Sequence, residues 1–323
     1  MNDLEYTYAV ARVRALETSL LTNAVIEQLL ACRTEKECLQ LLEEKGWGDS
    51  DTDGDAAAML RREEEKTWEV IRAIAPDIGV FDVFSYSKMY HNLKAAVKAV
   101  FTQSSIENIY YADSKVPPKT MLSLIENREF FRLPGNMGPA AEDAYETLIH
   151  TRDGQMCDII IDKAMLEAVR DAGRQSSDEI IKEYAETTVA IADIKIAVRS
   201  QKTGKSLDFM KRAMADCDSL NVESLAGAAL RGMDSVREYL SGTLYAAGAE
   251  ALAESPSAFE RWCDERIMDM IRPQKYNAFS VGPLVAYLLA RENEIKTVRM
   301  ILAGKQNDFP TEVIRERVRE MYA

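Results

Sequence analysis

The feature that most constrains this chain is a recurrence. Asn92-Leu93-Lys94, Asp193-Ile194-Lys195 and Glu294-Ile295-Lys296 each set a polar residue, an aliphatic and a lysine in a row, in two equal steps of 101 residues. In each copy the aliphatic residue opens an apolar face at helical spacing: Leu93, Val97, Val100; Ile194, Val198; Ile295, Val298, Leu302. Equal spacing of three long helices predicts three related helical units of about one hundred residues each. The divisions expected are residues 1–118, 119–218 and 219–323, with exchange of terminal helices between units allowed.

Composition supports a chain made of helices. Only 15 Gly and 9 Pro interrupt 323 residues. Leu, Ala, Glu, Lys, Arg and Met dominate, and these side chains lose little freedom in a helix. The spacing predicts helices over 8–30, from Thr34 toward Leu42, and over 56–75, 84–100, 120–131, 140–151 and 157–172. It continues with 178–199, 207–215, 222–231, 235–247, 257–271, 284–302 and 311–321. Thr34 with Glu37 three residues on predicts a capping box. The fold class is therefore all-α.

Charge and cysteine usage remove several function classes. The net charge is −13, from 40 basic and 53 acidic residues. Nucleic-acid binding is driven by lysines and arginines displacing phosphate counterions, so an acidic chain with no basic stripe argues against it. An anionic lipid surface repels it for the same reason. Cys32, Cys38, Cys157, Cys217 and Cys263 are scattered, which fits a reducing compartment rather than a disulfide framework. The first residues, Met1 to Glu5, are polar and acidic and do not read as a secretory signal. No run approaches the roughly 20 apolar residues of a membrane span.

Several motifs start and fail. Asp49, Asp51, Asp53 and Gly54 match the opening of a calcium loop, but the bidentate Glu that should stand at its twelfth position is Leu60. An acidic turn before a helix is the reading that remains. Gly204-Lys205-Ser206 resembles the end of a phosphate-binding loop, but Arg199 replaces the required first Gly and lies in a predicted helix. The two histidines, His91 and His150, belong to no zinc pattern, and His91 reads as a polar packing residue on a helix face. Glu63-Glu64-Glu65 reads as a solvated helix face rather than acid–base machinery. No catalytic, cofactor-binding or metal residue is expected.

Four segments carry a family likeness. They are Tyr8-Ala9-Val10-Ala11-Arg12-Val13-Arg14-Ala15-Leu16-Glu17; Tyr90-His91-Asn92-Leu93-Lys94-Ala95-Ala96-Val97-Lys98-Ala99; Gly282-Pro283-Leu284-Val285-Ala286-Tyr287-Leu288-Leu289-Ala290 with Glu292, Glu294-Ile295-Lys296 and Arg299; and Ile314-Arg315-Glu316-Arg317-Val318-Arg319. In order and over the whole length, they resemble the C subunits of bacterial and archaeal V/A-type ATPases, relatives of the eukaryotic V-ATPase d subunits. Asp158 and Asp162 fall where that family carries acidic positions. Met89 departs from it, since an acidic residue is expected before Tyr-His-Asn.

The resemblance implies a funnel-shaped socket of three similar helical domains with pseudo-threefold symmetry. It implies a non-catalytic piece on the cytoplasmic face of a membrane, with no span of its own and no cofactor. Its partners would be the membrane rotor ring and the D and F subunits of the stalk, and its task the transmission of torque. The positions that carry the family motif are Tyr90, His91, Asn92, Lys94, Asp193, Lys195, Glu294 and Lys296. Tyr110, Tyr111, Phe130, Phe131 and Trp262 are candidate interface anchors, with core packing as the plainer reading. A helical-repeat scaffold with an unrelated partner is the alternative function, and an all-α enzyme with a convergent polar pocket is a third.

Overall fold

A computed structural model describes residues 6–52, 54–104 and 109–323. Met1–Glu5 and Asp53, on which two of the readings above fall, lie outside them. Among the described residues there are helices and turns and no strand. In chain order the α-helices are α1 Thr7–Glu17, α2 Asn23–Ala31, α3 Glu35–Glu44, α4 Ala56–Ile74, α5 Asp82–Thr102, α6 Pro118–Glu126, α7 Met137–Thr151 and α8 Gly154–Gln175. They continue with α9 Glu179–Thr203, α10 Leu207–Ala213, α11 Val222–Arg231, α12 Met233–Ser241, α13 Ala246–Glu254, α14 Pro256–Ile271, α15 Gly282–Gln306 and α16 Thr311–Arg315.

Helix starts follow the side chains that can serve an orphan N–H. Thr22, Thr34, Asp55, Asp153, Ser206, Asn221 and Ser255 all cap in this way. At α3 the box forms with a shift. Thr34 accepts from the Glu37 N–H at 3.2 Å, while the Glu37 carboxylate accepts from Arg33 N–H at 2.7 Å. Pro118, Pro256 and Pro283 sit in first turns, where no N–H is missed.

Four expected helices are corrected. The one expected over 120–131 ends at Glu126, where Arg128 takes φ +55° and a separate 3-10 turn follows at Phe130–Arg132. The helix expected over 8–30 is two, because Thr18 and Ser19 turn their hydroxyls onto the carbonyls of Ala15 and Leu16 and Thr22 caps a new start. The helix expected over 235–247 divides at Gly242-Thr243 into α12 and α13, with the Thr243 hydroxyl donating to Leu240 O. The one expected over 311–321 ends at Arg315.

The chain gathers into two compact units. One holds the chain up to Ile78 together with Glu250–Ala323, so both ends of the sequence build it; the other is Gly79–Ala249. In the first, α15 is buried along most of its length and packs against α1, α3, α4 and α14. Its core joins Leu29 and Leu30 of α2, Leu42 of α3, Met59 of α4 and Val298 and Ile301 of α15. In the second, α5 packs on α6, α7 and α8 around Leu93, Val97, Met121, Ile125, Met137 and Ile161. There α9 packs on α8, α10, α11 and α12. The α8–α9 approach requires Gly173, since a Cβ there would lie 2.4 Å from the Ala185 methyl. No helix among the described residues is long and apolar enough to cross a membrane.

Candidate functional site: a buried polar residue in each long helix

The eight motif positions lie on three long helices, α5, α9 and α15. Asn92, Asp193 and Glu294 are all buried, with 0 %, 0 % and 1 % of their surface exposed. Buried polar groups need partners, and each of these accepts a backbone N–H from the segment leading into a short helix. Tyr111 precedes α6, Ala215 precedes α11 and Leu21 precedes α2.

On α5 three consecutive residues reach two segments: Tyr90 the turn before α7, and His91 and Asn92 the stretch 109–111. Tyr90 donates its hydroxyl to Asn136 Oδ1, and Asn136 Nδ2 in turn donates to Ala164 O at 2.7 Å. His91 Nε2 lies 3.0 Å from the carbonyl oxygen of Ile109, which can only accept, so that nitrogen carries the proton. Asn92 holds Tyr111 by both prongs: Oδ1 accepts from the Tyr111 N–H at 2.9 Å and Nδ2 donates to its carbonyl at 2.8 Å. One turn on, Lys94 and Lys98 reach Asp162 and Asp158 of α8, each at 2.6 Å. Met89, where an acid was expected, is buried in the apolar core, where a carboxylate would have no partner.

On α9 the arrangement is sparer. Asp193 Oδ1 accepts from the Ala215 N–H at 3.1 Å, and Oδ2 is buried with no donor against it. Burial pushes this carboxyl up to about 8, against the pull of the Ala215 N–H. Lys195 is half-buried on the same helix.

On α15 the acid is embedded in charge. Glu294 Oε1 accepts from the Leu21 N–H, and Oε2 accepts from Arg291 at 2.5 Å. Arg291 also donates to Glu63 and lies 5.1 Å from the centre of the Trp47 ring. Glu63 further accepts from Gly48 N–H at 2.8 Å and Lys66 Nζ at 2.7 Å. Burial pushes Glu294 up to about 7, against the pull of Arg291 and the Leu21 N–H. Lys296 binds Asp264 of α14 at 2.7 Å, and Arg319 binds the same carboxylate at 2.6 Å. Burial opposes ionisation of Asp264, but the two cations outweigh it and hold it below the usual range.

Sequence reasoning missed Glu63, Arg291 and Asp264. Glu63 is 3 % exposed, not on a solvated face. The signal was present: Met59, Glu63, Thr67 and Ile71 recur every four residues along the buried stripe of α4. Among the anchors, Phe130 is core, Tyr110 packs against that core, Trp262 stacks on Phe259, Tyr111 meets His91 edge-on, and Phe131 is 85 % exposed.

The failed motifs have structural work. Asp49 binds Arg62 at 2.7 Å, Ser206 caps α10, and Gly204 closes α9 at φ +65°. Among the described residues no group of three His, Cys, Asp or Glu could hold a metal ion. Two clefts of about 450 and 320 Å³ lie on α7–α8 and on α8–α10, and Asp193 lines neither.

A sequence model of the family described as "ATP synthase (C/AC39) subunit" matches residues 9–317. The chain is 22% identical over 326 residues to the C subunit of the V-type sodium ATPase of Enterococcus hirae, covering 99% of both chains. It is 22% identical to the C subunit of the A-type ATP synthase of Methanocaldococcus jannaschii, over 96% of this chain and 85% of that one. To the corresponding A-type ATP synthase C subunit of Methanothermobacter thermautotrophicus it is 28% identical, over 48% of this chain and 44% of the relative.

Proposed function

Since the chain belongs to the ATP synthase (C/AC39) subunit family, as the match over residues 9–317 shows, we propose that it is the non-catalytic coupling subunit of a V/A-type rotary ATPase. It joins the rotating stalk, made of the D and F subunits, to the membrane rotor ring on the cytoplasmic side. Torque passes through it in either direction, so that ATP hydrolysis or synthesis is tied to ion movement. The observation that carries this reading is the near-complete match, end to end, to the family and to the C subunits of a sodium ATPase and an ATP synthase.

The physical chemistry of the three long helices supports it. A torque-bearing part needs stiffness rather than a reactive group. Packed long helices supply it. A buried polar residue near the middle of each, bonded to the backbone of another segment, adds a directional restraint to non-directional packing. In our reading each long helix is the spine of one of three similar units, divided near residues 118 and 218, arranged as a funnel with pseudo-threefold symmetry. Tyr90, His91, Asn92, Lys94, Asp193, Lys195, Glu294 and Lys296 brace those spines. Phe131, Leu244 and Tyr276, exposed by 85, 81 and 92 %, are the side chains we assign to partner contact.

The test is association. Purified chain is mixed separately with the detergent-solubilised ring and with the D–F stalk pair, and each mixture is run on a sizing column. Co-elution with both is the expected result. Co-elution with neither would move the assignment to a scaffold with another partner.

A further inference from the structure

The three members of the repeat solve one problem with three side chains. Each must present an oxygen to a backbone N–H inside a dry core. Asn92 does so without charge and uses its Nδ2 to donate to the same residue's carbonyl. Glu294 does so as an acid surrounded by Arg291, Glu63 and Lys66. Asp193 has neither an amide nor a cation against it, and its second oxygen is buried with no donor. A carboxylate left that way bears a large desolvation cost, and such groups neutralise instead.

We propose that Asp193 keeps its proton at neutral pH and acts as the neutral equivalent of Asn92, its Oδ2–H donating to a carbonyl of the 213–215 segment, so that loss of the proton at higher pH loosens that segment. The surroundings favour the neutral form. The groups that act on Asp193 are Asp216 from the segment itself, Lys163 from α8 and Glu186 from its own helix, with burial foremost. Glu186 is bonded to Ser219 N–H at 2.7 Å, and Lys163 donates to Lys211 O at 3.1 Å. Cys217, two residues past Ala215, is a thiol pushed up to about 12 by burial, Glu186 and Asp193, so it brings no relief. On the remaining helices packed against α9, Lys211 of α10 pairs with Glu223 of α11 and Arg237 of α12 with Asp234, also of α12. Asp193 is fully buried, so an ionised form would gain hydration only if the segment whose Ala215 N–H it accepts moved away.

The sign follows from linkage. The carboxyl is raised from 3.8 to about 8, so between those values the folded chain holds a proton the unfolded chain has lost. Stability from this group is full below about pH 4, falls as pH rises, and levels off above about pH 8.

The test compares thermal unfolding of the full chain and of Asp193→Asn from pH 5 to pH 9, followed by far-ultraviolet circular dichroism. Other titrating groups cancel in the difference. The expected result is a Tm advantage for Asp193→Asn that widens by about 5–10 °C between pH 5 and pH 8 and then stays constant. A difference that is flat across the range overturns the proposal. A second measurement needs no variant. In the wild-type chain, hydrogen-exchange protection around Ala215, divided by that around Tyr111 to cancel the intrinsic pH effect, should fall at least threefold from pH 6 to pH 9. A constant ratio contradicts the proposal whatever the variant does.

Discussion

Glu294 and Asp193 hold the same place in the repeat, 101 residues apart, yet the two units keep their buried acid by opposite means. In the unit built from both chain ends, Glu294 belongs to a cluster of two acids and two bases, with Arg291 between Glu63 and Glu294. In the other unit Asp193 accepts one backbone N–H and has no cation paired with it, Lys163 acting only at a distance. The shared element is the acceptor for a backbone N–H. The charge is a separate matter, settled locally. A network partly compensates it in one unit, a retained proton removes it in the other, and Asn92 never has it. The comparison teaches that the repeat preserves a hydrogen-bond geometry, not an ionisation state.

The strongest way to break the comparison is to remove the guanidinium. Arg291→Met leaves Glu63 and Glu294 buried without their shared cation. Breaking such a pair from one side should cost the first unit about 3–5 kcal/mol. Trp47, Trp68 and Trp262 all lie in that unit, so tryptophan fluorescence during urea unfolding reads it selectively. A shift in the fluorescence transition without a matching shift in the transition of the other unit is the expected pattern.

A next step is to give the first long helix an acid. Asn92→Asp puts an uncompensated carboxyl where the amide made two bonds. We expect it to be close to wild type near pH 4 and destabilised by about 2–3 kcal/mol at pH 8, read from denaturant midpoints at both values. Equal midpoints at both would mean that the buried site tolerates charge, and the distinction between Asp193 and Glu294 would lose its meaning.

A smaller effect attaches to Asp264, which Lys296 and Arg319 hold below its usual range against burial. Its contribution is present above about pH 4 and is lost as pH falls through its folded value. Asp264→Asn should cost about 1–2 kcal/mol at pH 7, and the gap should close on acidification to about pH 3. The smallest stability effect is expected at Phe131, which is 85 % exposed. Phe131→Ala should change stability by less than about 0.5 kcal/mol while weakening association with the rotary complex, measured by the sizing assay.

Much of this arrangement was legible in the sequence because helical periodicity and capping are local. The start of α3 follows from Thr34, and the recurrence at 92, 193 and 294 marked the three long helices. What the sequence hid was long-range. Nothing near Glu63 announces Arg291, 228 residues away, so an acid on a buried stripe passed for one of three solvated glutamates. The break at Thr18–Thr22 was missed for a related reason. A run of Ser and Thr is compatible with a helix locally, and the N–H of Leu21 that the break frees finds its acceptor only on Glu294. Met89 shows the converse, a departure from the family pattern that burial in the apolar core explains.

The central claim is that this chain couples the ATP-driven head to the membrane ring. Membranes carrying the complete rotary complex are to be compared with membranes assembled without the chain, following ATP hydrolysis and ATP-driven ion uptake in both. The account predicts that hydrolysis continues and uptake is lost without the chain, and that adding purified chain restores uptake. Uptake that persists in its absence would contradict the claim.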